Sequence, residues 1–134
     1  MKNIIRLFLP AIAAVLLSLT GTVCAQQSSP SVSVKETYTM LQKDTSVVFL
    51  DVRTPEEHAQ ARIGETPLIP LNELENRLGE LERYKDRKIV VYCRSGNRSG
   101  KATSILRQHG FNALNMQGGI IQWKQEQYPI ISGQ

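Results

Sequence analysis

Ile89-Val90-Val91-Tyr92-Cys93-Arg94-Ser95-Gly96-Asn97-Arg98-Ser99 is the stretch whose reading decides the fold. Four consecutive apolar, β-favouring residues with no polar alternation have the pattern of a strand buried on both faces, and such strands belong to parallel sheets covered by helices. A helical pattern then runs from about Arg98 to His109, with Ala102, Ile105 and Leu106 inward and Gly110 as its stop. The intervening Arg94-Ser95-Gly96-Asn97 is too short and too polar for anything but a tight loop, and Gly96 permits backbone angles that a side chain would forbid. Cys93 therefore stands at the carboxyl end of a central strand, where open α/β sheets bind ligands.

Outward from that stretch, strand and helix patterns alternate. Val47-Val48-Phe49-Leu50, Leu68-Ile69 and Ala113-Leu114-Asn115-Met116 are further strand candidates, and Val32 to Val34 adds a short one. Helices are expected over Lys35–Gln42, which carries Tyr38 and Leu41, and along Leu71, Leu74, Leu78 and Leu81, which share one helical face. A last helix should include Ile121 and Trp123 before Pro129 ends it. The expected class is α/β with a mostly parallel sheet.

The first residues have a different character. Lys2 and Arg6 precede an apolar run from Leu7 to Leu19, and Val23-Cys24-Ala25 follows, which is the layout of a secretory signal peptide. The run of about 13 residues is short for a bilayer span, so no stable membrane insertion is expected once it is cut. Cleavage after Ala25 is the expectation, with lipidation of Cys24 as an alternative that Gly21-Thr22-Val23 does not favour. The expected organisation is residues 1–25 as signal, 26–31 as linker and 32–134 as one domain, exported to the periplasm or secreted.

Losing Lys2 and Arg6 lowers the basic residues from 16 to 14 against 12 acids, so the net charge falls from +4 to +2 and supports no nucleic-acid partner. Losing Cys24 leaves Cys93 as one cysteine without an internal disulfide partner in an oxidising compartment. Such a residue pairs between molecules, acts as a reactive thiol or is a small buried hydrophobe.

The neighbours of Cys93 favour reactivity. Successive N–H groups of a tight loop, with a helix N-terminus behind them, form a nest for negative charge, and Arg94 and Arg98 add to it. A thiolate seated there is stabilised without a histidine base, and the same cradle attracts an anionic substrate. His58 and His109 receive structural or exposed roles. Cysteine-based phosphatases and arsenate reductases place an arginine six positions after the cysteine; that position here is Ser99, and Arg98 comes one residue sooner. The shorter loop favours a sulfur atom over a phosphoryl group.

These residues resemble the rhodanese family of sulfurtransferases. Cys93-Arg94-Ser95-Gly96-Asn97-Arg98-Ser99 is similar to the family's six-residue loop, Cys-x-x-Gly-x-Arg followed by a small hydroxyl residue. Leu50-Asp51-Val52-Arg53-Thr54-Pro55-Glu56-Glu57 resembles its Asp-Val-Arg-x-x-x-Glu segment, and Gly118-Gly119 with Trp123 resembles its end. The likeness spans residues 32 to 131, with a departure at His58 and at Ala61-Arg62-Ile63-Gly64-Glu65-Thr66, where Arg62 would add charge to the pocket rim.

The resemblance implies a three-layer fold with a central, mostly parallel, five-stranded sheet flanked by helices. It implies Cys93 as catalytic residue, Arg94, Ser95, Gly96, Asn97, Arg98 and Ser99 as the substrate-binding loop, and Asp51, Arg53 and Glu57 as supports. Asp51 would lie within reach of the loop and Arg53 would pair with Glu57. The expected activity moves sulfane sulfur from thiosulfate to cyanide or a thiol through a Cys93 persulfide, with neither metal nor organic cofactor. A persulfide carrier or a binding module with little thiosulfate activity is the alternative, and a cysteine phosphatase or arsenate reductase a more distant one.

Overall fold

The computed structural model describes residues 29–133. In chain order the elements are β1 (Ser31–Val32), α1 (Val34–Lys43), β2 (Val48–Asp51), α2 (Pro55–Gln60), β3 (Ala61–Arg62), a 3₁₀ segment (Leu71–Tyr84), β4 (Lys88–Tyr92), α3 (Asn97–Gln108), β5 (Asn112–Met116), α4 (Gly119–Gln125) and β6 (Ile131–Ser132). β1, β5, β4 and β2 form one sheet in that spatial order, and every pairing in it is parallel. β4 is thus flanked on both sides, in register Leu50↔Val91 with β2 and Val91↔Asn115 with β5.

Side chains alternate across the sheet and divide the core in two. Ile89, Val91 and Cys93 face Leu74 and Leu81 of the 3₁₀ segment and Ala102 and Leu106 of α3. Val90 and Tyr92 face the opposite way, toward Val34 of α1 and Ile120 and Trp123 of α4. Helix, sheet and helix make the expected three layers, and the parity of β4 puts Cys93 on the α3 side.

The sheet departs from the expected five strands in one respect. Leu68 contributes only a single parallel bridge to Asp51, so four strands form ladders and the fifth is one residue long. Pro67 and Pro70 bracket Leu68-Ile69, and neither has an N–H to extend a ladder. A two-stranded antiparallel sheet of β3 and β6, unexpected from the sequence, ties the chain's end to Arg62 through the pairing Arg62↔Ile131. The leucines at 71, 74, 78 and 81 lie on a 3₁₀ segment, with Leu74 and Leu81 buried. Their spacing of three, four and three is that of an α-helical face; at three residues per turn it sets Leu71 and Leu74 on one line and Leu78 and Leu81 on another.

The expected signal peptide, and Gln26, Gln27 and Ser28 of the expected linker, lie outside the described residues. Ser29 and Pro30, also placed in that linker, are bonded into the fold. The Ser29 hydroxyl donates to the Gly100 carbonyl at 2.9 Å, and the Asn115 amide donates to the Pro30 carbonyl at 2.8 Å. No described helix is long and apolar enough to cross a membrane.

Trp123 anchors the α1/α4 side. Its ring meets Phe49, Tyr38 and Tyr128 edge-on with centroids 5.1–6.3 Å apart, and its indole N–H donates to the Pro129 carbonyl at 2.8 Å. Trp123→Ala should therefore lower unfolding stability by about 3–5 kcal/mol in urea denaturation followed by circular dichroism.

Candidate active site

α3 begins without a side-chain cap. Its N-cap is Gly96, with φ of 105° and no side chain to accept the exposed amides of the first turn. Cys93 Sγ stands at this end of the helix: the Gly96 N–H donates to it at 3.1 Å, and the amides of Ser95 and Ser99 favour its charged form. Cys93 is 1% exposed, while Arg94, Ser95 and Asn97 stand exposed around it. Burial pushes the Cys93 thiol up; the Ser99 hydroxyl and the amides of Ser99, Gly96 and Ser95 outweigh it, so its pKa lies below the ordinary cysteine value.

The loop is held from behind by α4. The Ile120 and Ile121 amides donate to the carbonyls of Cys93 and Arg94 at 2.9 and 3.2 Å. This approach needs Gly119, where an added Cβ would lie 2.3 Å from the Arg94 carbonyl oxygen and where φ is 58°. The glycine pair read from the sequence is therefore the point where a second helix N-terminus meets the loop.

Two ion pairs frame the site, and they differ from the expected one. Arg53 does not pair with Glu57: its Nη2 lies 2.6 Å from Asp51 Oδ2 and also donates to the Ala61 carbonyl at 2.7 Å. Asp51 is likewise not turned to the loop, because its buried carboxylate receives Arg53 and, at 2.9 Å, His58 Nδ1. Thr54 accounts for the first departure. It is the N-cap of α2, so Arg53 lies outside that helix and cannot meet Glu57 at helical spacing. Glu57, third in α2 and bound to the Thr54 amide, instead receives both Nη atoms of Arg98 at 2.8 Å.

Arg98 thus staples α2 to the first turn of α3. Arg94 has no carboxylate partner among the described residues and opens on a cleft of about 230 Å³ shared with Arg53, Glu57, Ile121 and Lys124. Arg62 is bound to Glu65 at 3.3 Å rather than free at the rim. His109 is exposed, with Nδ1 2.9 Å from the Ile105 carbonyl.

Asn115 is a site residue that the sequence reading passed over as part of a strand. Its Oδ1 lies 2.6 Å from the Ser99 hydroxyl, which is 3.4 Å from Sγ, and its Nδ2 donates to the Gly96 carbonyl at 3.2 Å. The available signal was an amide inside the apolar run Ala113–Met116. Among the described residues, no three or more His, Cys, Asp or Glu side chains converge as metal ligands would.

The model of the rhodanese-like domain matches residues 33–126. The chain belongs to the rhodanese-like domain family. A sulfurtransferase of Allochromatium vinosum is 41% identical over 64% of this chain and 79% of its own length. A thiosulfate sulfurtransferase of Escherichia coli is 33% identical over 54% and 69%, respectively. A rhodanese-related protein of Thermoplasma volcanium superposes with a TM-score of 0.70 at 34% identity, over 76% of this chain and 97% of that one. Several other relatives are longer, and the chain spans about half of their length or less. This rhodanese-like domain accordingly has sulfurtransferases among its relatives.

Two measurements test the framing of the site. The Arg98 guanidinium holds the Glu57 carboxyl at about 2, below the ordinary 4.5, against an opposing push from burial. A carboxylate so lowered stabilises the fold fully above pH 4.5 and loses that contribution as pH falls toward 2. NMR titration of Glu57 should place its midpoint near 2, returning toward 4.5 in Arg98→Ala. Gly119→Ala should destabilise by more than the roughly 1 kcal/mol expected of backbone strain alone, read as a lower urea midpoint, because the methyl group meets backbone on both Cys93 and Arg94.

Proposed function

We propose that this rhodanese-like domain is an exported thiosulfate sulfurtransferase that carries sulfur as a Cys93 persulfide. The observation that carries the reading is the position of Cys93 Sγ at the uncapped N-terminus of α3, with the Gly96 amide 3.1 Å away. An anionic sulfur there is held by amides already in place before any substrate arrives, and fixed donors of this kind need no reorganisation during reaction.

The proposed reaction has two displacements. The Cys93 thiolate attacks the outer sulfur of thiosulfate; a new S–S bond forms, the old one breaks, and its electron pair leaves on sulfite. Cyanide or a thiol then attacks the outer sulfur of the persulfide, and the electron pair of that S–S bond returns to Cys93 Sγ as thiolate. Arg94, exposed and without a carboxylate partner among the described residues, meets the incoming dianion. Arg98, committed to Glu57, acts by holding the loop.

The proposal includes removal of residues 1–25 on export to the periplasm, motivated by the layout of Lys2, Arg6 and the apolar run to Leu19. Mass spectrometry of the exported protein after incubation with thiosulfate tests both parts. A gain of one sulfur atom on Cys93, in a chain beginning at Gln26, is the expected result. Loading only from a partner's persulfide would replace this reading with a carrier, and sulfur transfer by Cys93→Ser would refute the mechanism. Arg94→Ala should raise KM for thiosulfate roughly three- to ten-fold with kcat little changed, an effect that fades at high salt.

A further inference from the structure

Ser99 has one hydroxyl proton and two neighbours that can accept it. The Oγ–Oδ1 distance to Asn115 is 2.6 Å and the Oγ–Sγ distance to Cys93 is 3.4 Å, so the proton lies toward Asn115. The amide cannot turn to release it. The Gly96 carbonyl, which already accepts the Gly100 N–H at 3.0 Å, can only accept, so Nδ2 must face it and Oδ1 must face Ser99. The backbone of Asn115 is fixed as well, paired in register with Val91 on one side and Ser31 on the other.

We propose that Asn115 is a positioning residue that retains the Ser99 proton while Cys93 Sγ is neutral and yields it when charge develops on the sulfur. In the thiol and persulfide states Sγ is uncharged and the Ser99–Asn115 bond stays closed. In the thiolate state, including the moment when the acceptor displaces Sγ from the persulfide, the hydroxyl turns to the sulfur at the expense of the Asn115 bond. Asn115 therefore opposes ionisation of the thiol. A thiolate is less nucleophilic the lower its pKa and more readily oxidised the larger its population, so this opposition tunes the sulfur rather than merely weakening it.

The charged and titratable groups around the site are Arg94 in the loop, Arg98 and Lys101 on α3, Glu57 on α2, Asp51 at the end of β2 with Arg53 and His58 bonded to it, and Lys124 on α4; the 3₁₀ segment turns leucines to this side. None of these charged groups is bonded to the side chain of Ser99 or Asn115, so substitutions at those two positions leave the charges where they are. The catalytic part of the inference rests on the sulfur-transfer reading. Its test, thiol ionisation, does not, so the two can fail separately.

The experiment is the pH dependence of Cys93 alkylation by iodoacetamide in the protein, in Asn115→Ala, in Ser99→Ala and in the double variant. Asn115→Ala should lower the midpoint by roughly 0.5 to 1 pH unit, the size of one neutral hydrogen bond. Asn115→Leu, closer to the native side chain in size, should do the same, and Ser99→Ala should raise the midpoint. In the Ser99→Ala background, Asn115→Ala should change nothing. A midpoint unmoved or raised in both Asn115 variants overturns the inference, and so does a shift that survives in the Ser99→Ala background.

Discussion

A helix needs something to accept the amides of its first turn, and α3 has no side chain that does so. Gly96 occupies the cap position, and the sulfur of a residue three positions earlier stands at that end of the helix, receiving the Gly96 amide with the Ser99 hydroxyl beside it. Most of the site can be traced to this substitution of sulfur for an ordinary cap. It requires the strand to end at Tyr92, the loop to be short enough to bring Sγ to the start of α3, and a glycine at the turn. It also lets the amides offset the cost that burial sets against a charged sulfur, a cost which otherwise raises a thiol's pKa.

The surrounding charges are arranged so that the cap stays dedicated to sulfur. Asp51, the buried carboxylate at the end of β2, is fully engaged by Arg53 and His58; an unpaired carboxylate there would repel a thiolate and cost several kcal/mol to keep buried. Glu57, the other nearby acid, is engaged by both Nη atoms of Arg98. With these acids neutralised in pairs, Arg94 and Lys124 are left to face the cleft. The same pairs fix α2 against α3, so charge balance and geometry come from the same contacts.

Much of this was legible in the sequence, for physical reasons that can be named. The unbroken apolar run Ile89–Tyr92 could belong only to a strand covered on both faces, and the polar loop followed by a helical pattern placed Cys93 at the sheet's carboxyl edge. What escaped depended on where one element stops. Thr54-Pro55-Glu56-Glu57 carries a capping box and a proline at the first turn, signals of α2 that would have put Arg53 outside the helix and removed its expected pairing with Glu57. Asn115 escaped because its role lies in a contact across 16 residues of chain, and strand periodicity carries no information about which polar neighbour a helix will present.

The close approach of α4 to the loop also bears on when the backbone around the thiol is fixed. The carbonyls of Cys93 and Arg94 are held by amides of Ile120 and Ile121, across a gap that only Gly119 leaves open. As the chain is synthesised, Cys93 therefore emerges well before the residues that lock its loop. A nascent or broken chain ending ahead of Gly118 lacks both amides that hold the Cys93 and Arg94 carbonyls, so the backbone of the loop is tied down only once α4 has docked.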